Sequence, residues 1–242
     1  MIRFFIESTP SVNAQLVISG EDFNHLRVLR PKIGELIELC NPAAKLVYLA
    51  GVDQLSKNDA RITILSSHAA GNEPTCKISL FQAIPKTDKM ELLIQKGVEL
   101  GLAEITPILT SRTQAHRANV GAKATRWQKI SKEAAQQSRR DIVPPVHDVD
   151  TFSNVLSKLS RFDGVFVANE NETTLLASRA FKDIDATNVA MFVGPEGGFE
   201  ASEVAALLAH GAMSVSLGKR ILRTETAAIT MVALILSAKG DI

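Results

Sequence analysis

Two short stretches place uncovered backbone where a flat, weakly charged ligand could lie. The first, Gly194-Pro195-Glu196-Gly197-Gly198, follows the apolar run Ala190 to Val193 and precedes a helix-like run from Ala201. Glycines leave N–H and C=O groups bare, and Pro195 stiffens the turn. The second, Leu217-Gly218-Lys219-Arg220-Ile221-Leu222-Arg223-Thr224-Glu225-Thr226-Ala227, also leaves a strand-like run and opens a helix. It is not a phosphate-binding P-loop, which would need Gly in place of Met213 and Ser or Thr in place of Arg220. No GxGxxG follows a strand-like run either. Taken singly, the first loop reads equally as a tight turn, and Thr224 as the cap of the last helix.

A third feature is electrostatic. Between Arg112 and Arg140 the chain carries Arg112, Arg117, Lys123, Arg126, Lys129, Lys132, Arg139 and Arg140 against the single acid Glu133. A local density of that kind can hold a phosphate backbone although the net charge is only +1. A solvated helix face is the plainer reading. Trp127, in helical spacing with Ile130, reads as core before it reads as a stacking platform. His25 reads as packing or capping, and His116 as either solvent-exposed or touching such a backbone.

The elements that must position these loops follow from pattern. Strand-like runs at Arg3–Ile6, Leu16–Ile18, Leu36–Cys40, Leu46–Val52 and Ile62–Leu65, with one helix over Glu21–Leu29, suggest a small barrel or curled sheet. The polar stretch from Ser67 to Thr75 contains Gly71 and Pro74 and marks a boundary, giving domains 1–70 and 74–242. Beyond it strands and helices alternate, which implies a mostly parallel sheet covered by helices, an α/β domain. Ligands of such sheets sit beyond the carboxyl ends of strands, where both loops fall.

Composition sets outer limits. With 242 residues, 45% hydrophobic and 22% charged, the chain can bury a sizeable core. Cys40 and Cys76 are far apart and in no metal-ligand spacing, so neither a disulfide framework nor a metal site is expected, and a reducing, cytoplasmic setting fits. No secretory leader is expected from the first residues. The longest apolar stretch, Ala227 to Ala238, is shorter than the roughly 18 residues of a span and predicts a buried helix, with no membrane partner.

In order and spacing the chain resembles the SPOUT superfamily of methyltransferases, most closely its small-subunit ribosomal RNA uridine-N3 methyltransferase family. The resemblance runs from His25-Leu26-Arg27-Val28-Leu29-Arg30 through Pro85-Lys86, Lys89-Met90-Glu91 and Ile94-Gln95-Lys96-Gly97-Val98-Glu99-Leu100-Gly101. It continues with Pro107, Arg112, Trp127-Gln128-Lys129-Ile130, Glu133-Ala134-Ala135, Gln137-Ser138 and Arg140, and closes with the two loops. It implies a small PUA-like, RNA-binding β-barrel followed by a SPOUT-type α/β domain with a C-terminal trefoil knot. It also implies a homodimer, S-adenosyl-L-methionine as cofactor, and ribosomal RNA or the small ribosomal subunit as partner. A non-catalytic RNA-binding protein of the same fold, or a knotted enzyme acting elsewhere on RNA, would share much of this pattern. Asn41-Pro42, Gln136 and Arg139 depart from the family, which more often has an Asp-Gly turn, a Glu and a Gly at these places.

The cofactor-binding residues implied are Gly194, Pro195, Glu196, Gly197, Gly198, Leu217, Gly218, Ile221, Leu222, Thr224, Thr226 and Ala227. Uridine N3–H is mostly protonated at neutral pH, so a proton must be taken or a developing oxyanion stabilised. Arg223 is the expected stabiliser, and Glu196 the expected proton acceptor if burial raises its pKa, with Glu225 as the alternative. RNA contacts are expected from Arg27, Arg30, Arg112, Arg117, Arg126, Arg139 and Arg140. The stretch 1–67 has seven basic and seven acidic residues, so only a local patch of it could bind.

Overall fold

The computed structural model describes residues 1–86, 89–113, 117–182 and 185–242, with backbone alone for 117–122. His116 and the Arg117 side chain lie outside the described residues. The chain divides into two units, 1–73 with 135–142, and 74–134 with 143–242. The first break falls within the Ser67–Thr75 stretch. Inclusion of 135–142 in the first unit was not legible, because the first of its two breaks falls inside one unbroken helical run and only the second is marked, by Pro144-Pro145.

In the first unit, strands β1 (Arg3–Phe5), β2 (Gln15–Ser19), β3 (Leu36–Asn41), β4 (Leu46–Leu55) and β5 (Asp59–Ala69) form one sheet, ordered β1-β3-β4-β5-β2. Helix α1 (Gly20–Val28) follows β2. β1 runs parallel to β3 and the other pairs are antiparallel. Along β5, Ala60, Ile62 and Ile64 are buried on alternate positions, which turns one face of the pleat onto Phe4, Phe23, Leu26, Ile37 and Leu39. Register shifts at Leu49/Ala50 and Val52/Gln54 bend β4 and curl the sheet. Asn41, where the family prefers Asp-Gly, holds its turn by donating to the Glu7 and Ser8 carbonyls and accepting from Ala44 N–H.

A charge cluster ties 135–142 into this unit. Arg3, 2% exposed, pairs with Asp141 and with Glu38, the latter at 3.0 Å, and donates to the Arg139 carbonyl. Arg140, 3% exposed, is salt-bridged to Glu73 at 2.6 Å. Arg139 sits at φ +57°, the left-handed region, which explains why glycine would be easier here. The His25 ring lies edge-on to Phe4 and its Nδ1 hydrogen-bonds the side-chain Oε1 of Gln136, so it packs.

The second unit is a six-stranded sheet, parallel throughout and ordered β11-β9-β10-β6-β7-β8. In chain order it holds β6 (Lys77–Ala83), α2 (Lys89–Leu100), β7 (Glu104–Leu109) and α3 (Arg117–Gln137), whose last three residues fall in the first unit. There follow β8 (Asp150–Thr151), α4 (Phe152–Leu156), β9 (Gly164–Ala168) and α5 (Ala177–Ala180). The unit ends with β10 (Asn188–Val193), α6 (Ala201–Ala209), β11 (Met213–Val215) and α7 (Thr224–Lys239). β6 and β10 are buried along almost their whole length, as strands covered on both faces must be, and Phe81 stacks on Phe192 at 4.7 Å. β8 and α4 were not expected, being too short to show a period. The helix expected over Thr173–Phe181 shrinks to one turn.

Trp127 is buried. Asp241 clasps the start of the unit to its end: its carboxylate accepts from Thr75 N–H and Oγ1 and from Cys76 N–H. No helix among the described residues is long and apolar enough to cross a membrane.

Candidate active site

Strands β9, β10 and β11 are neighbours and parallel, so the loops leaving their carboxyl ends emerge on one edge of the sheet. These loops begin at Asn169, Gly194 and Ser216. The two glycine-bearing loops are joined directly, since Thr224 Oγ1 donates to the Gly194 carbonyl at 2.6 Å and accepts from Gln82 Nε2 at 2.9 Å. Thr224 was expected to cap α7. The cap position is Arg223 instead, and the Thr224 hydroxyl is spent on holding one loop to the other.

Local sequence explains the shape of each loop. A Cβ on Gly194 would lie 3.0 Å from the backbone of Gly198, so glycine lets the first loop fold back on itself without pushing that backbone aside. Gly218 has φ +108°, which turns the second loop sharply after β11. Between the loops lies a cavity of about 270 Å³.

Its walls include Gly194, Pro195, Glu196, Gly198, Leu217, Gly218, Ile221, Leu222, Arg223, Thr224 and Ala227, all expected from sequence. Ile221, 81% exposed, stands at the rim. Gly197 and Thr226 do not line it. Thr226 is exposed on the outer side of α7's first turn, and Gly197 faces Arg112, whose Cδ lies 3.3 Å from where a Gly197 Cβ would be. Residues missed by sequence reasoning are Lys89, Asn169, Glu170, Ser216 and Arg220 among the polar ones. Asn169 and Glu170 follow β9, and that position was the available signal. Lys89 opens α2 after a stretch that carries no glycine.

Glu196 corrects an expectation. Burial pushes its carboxyl upward, but the Lys89 ammonium and the backbone N–H groups outweigh it, so its pKa is lowered. The Glu196 carboxylate accepts from Lys89 Nζ at 2.9 Å and from Lys86 N–H at 3.1 Å. A stabilised carboxylate is a poor proton acceptor. Lys89 also lies 3.8 Å from Glu225 Oε2, which is buried and has no hydrogen-bond partner among the described residues.

The expected RNA contacts divide. Arg27, Arg30, Arg126 and Arg139 are not fully buried, with Arg126 paired to Glu91 at 2.7 Å. Arg112 is 41% exposed at its side chain, bonded through Nε to Glu200 at 2.8 Å and through Nη1 to the Gly197 carbonyl. Arg140 is corrected, because a buried guanidinium closed on Glu73 is part of the first unit's framework and presents no surface to RNA.

With this geometry the comparisons with known proteins agree. Residues 72–236 match the family model described as an RNA methyltransferase domain. The ribosomal RNA small subunit methyltransferase E of Bacillus subtilis (strain 168) is 33% identical, covering 94% of this chain and 93% of that one. The crystal structure of the same-named protein from Neisseria gonorrhoeae, bound to S-adenosyl methionine, has a TM-score of 0.87 at 32% identity, covering 98% and 97% of the two chains. A methyltransferase structure from Legionella pneumophila, with bound cofactor SAM, has a TM-score of 0.86 at 30% identity over 98% and 97%. A parallel α/β unit with paired loops at one sheet edge is therefore that of an RNA methyltransferase. Within that class, the chain belongs to the ribosomal RNA small subunit methyltransferase E family.

Proposed function

We propose that this protein methylates N3 of a specific uridine in bacterial small-subunit (16S) ribosomal RNA, with S-adenosyl-L-methionine held in the cavity between the two loops. The observation that carries this reading is the Thr224–Gly194 bond, which makes one cavity of two separate stretches of backbone. Its walls suit an adenosine group: peptide groups of Gly194, Gly198, Leu217 and Gly218 for the polar edge, and Val193, Leu222 and Ala227 for the faces. The carboxylates of Glu170 and Glu196 suit a cationic donor. When bound, that donor supplies a methyl group already activated by its sulfonium.

What remains for the protein is to position and to manage charge. Arg223 stands at the N-cap of α7 and lines the cavity, which supports a role for its guanidinium in stabilising negative charge that develops on a uracil oxygen. Glu196 fixes Lys89 instead of taking a proton. The backbone around the target would be held by Arg27, Arg30, Arg117, Arg126 and Arg139. A PUA-like character for the curled first unit, a trefoil knot at the loops, a homodimer and a cytoplasmic setting complete the reading.

The test joins binding to product. Calorimetry should show S-adenosylmethionine binding, and mass spectrometry of digested small-subunit RNA should show a 3-methyluridine peak that depends on the protein. An unchanged peak in RNA from a deletion strain would leave an RNA-binding protein without this reaction. In steady-state assays, Arg223→Ala should lower kcat by about 100-fold, the scale of losing one oxyanion donor, with cofactor affinity within twofold. Equal losses of affinity and turnover would remove Arg223 from the reacting centre.

A further inference from the structure

A second cleft, of about 350 Å³, adjoins the first cavity and shares Glu196 with it. Its other described walls are Lys86, Ser111, Arg112, Thr113 and Gly197. We infer that this cleft receives the acceptor base itself, an unstacked pyrimidine of single-stranded RNA, with Arg112 as its main contact. The inference rests on the proposed RNA methylation and adds the place where the substrate base would sit.

Three observations support a neutral heterocycle over a phosphate. First, among the described residues carboxylates stand beside the cations at the cleft: Glu196 lines it, and Glu170, Glu200 and Glu203 act on Arg112, against Lys86, Lys89 and Arg112 itself. A phosphodiester would meet these carboxylates, whereas a uracil ring, alternating C=O, N–H and C=O, can use donors and acceptors together. Second, the Arg112 guanidinium is held at its edge by Glu200 and the Gly197 carbonyl. Bonds in the guanidinium plane leave its flat faces for stacking, a usual way for proteins to hold splayed RNA bases. Third, the wall is braced from behind. Glu203 accepts from Ser111 N–H and Oγ, and Thr113 Oγ1 accepts from Thr110 N–H, so the 110–113 turn is preset.

Gly197 then has a specific use. Any side chain there would press on Arg112 Cδ, so the missing Cβ serves the second cleft instead of the first. The two cavities meeting at Glu196 put an acceptor base on one side of that residue and the donor on the other.

The experiment compares RNA with the target uracil present and RNA with an abasic residue at the same position. Wild type, Arg112→Gln and Gly197→Val are measured for RNA affinity, its salt dependence and cofactor affinity, with melting curves to confirm folding. Arg112→Gln and Gly197→Val should each weaken uracil-containing RNA by about tenfold. On abasic RNA all three proteins should bind alike, the salt slope should be unchanged, and cofactor affinity should stay within twofold. A penalty that persists on abasic RNA, with a salt slope reduced by about 1, would make Arg112 a phosphate contact and overturn the inference. A fall in cofactor affinity alone would assign the cleft to the donor and overturn it too. Failure of wild type to bind S-adenosylmethionine would instead sink the proposed function, whatever the variants do.

Discussion

Two clusters of acids and bases, one in each unit, are built from similar residues and end in different states. In the first unit Arg3, Glu38, Glu73, Arg140 and Asp141 close on one another and are mostly shut off from solvent. In the second, Lys89 and Glu196 line an open cavity with Glu225 buried beside Lys89, and one lysine serves two carboxylates. Pairing alone thus does not say what a charge is for. A closed cluster fixes a chain segment, while an open one leaves groups on a wall that a ligand can reach.

The largest effect expected from this contrast is on stability. Arg3→Ala leaves Asp141 and Glu38 uncompensated and should cost about 3–5 kcal/mol in denaturant unfolding. It should do so without altering the salt dependence of RNA binding. A loss below about 1 kcal/mol would show the closed cluster to be no more than a surface pairing. Lys89→Ala comes next, with about 1–3 kcal/mol, because Glu225 Oε2 then lies buried without the Lys89 ammonium. Unlike Arg3→Ala, it should also weaken S-adenosylmethionine binding measured by calorimetry. If both variants lost stability alone, the two clusters would be the same kind of object.

The smallest effect is a pH dependence. Glu196 has a folded pKa below its ordinary value of 4.5, so its contribution to stability is fully present above that value. It is lost as pH falls through the lowered folded value. Comparing wild type with Glu196→Gln between about pH 5 and pH 3 should show the stability gap narrowing toward acid. A gap that widens toward acid would reverse the assignment of Glu196 as a stabilised anion.

What could be seen beforehand follows the same division. The loops at 194–198 and 217–223 were legible because glycine after a strand marks bare backbone, and because parallel-sheet ligands gather at strand ends. The alternating elements after residue 75 were legible from period alone, save for β8 and α4. Arg140 was misjudged since sequence counts charges but does not show Glu73, 67 residues away, closing on it. Gly197 was assigned to the donor by its place in a glycine run, although its neighbour in space, Arg112, comes 85 residues earlier. Lys89 was passed over because its two partners, in one loop and in the first turn of α7, lie more than 100 residues distant. In each case the missing information was a long-range partner, which no local pattern carries.

The clasp between Asp241 and the Thr75–Cys76 backbone brings the first and last residues of the second unit together. Its entry and exit lie side by side, so a linker joining them, with new ends opened in an exposed turn elsewhere, would ask for little rearrangement. The same clasp means that Asp241 fastens the start of β6, and removing it would loosen the entry to an inner strand that pairs with β10 and β7.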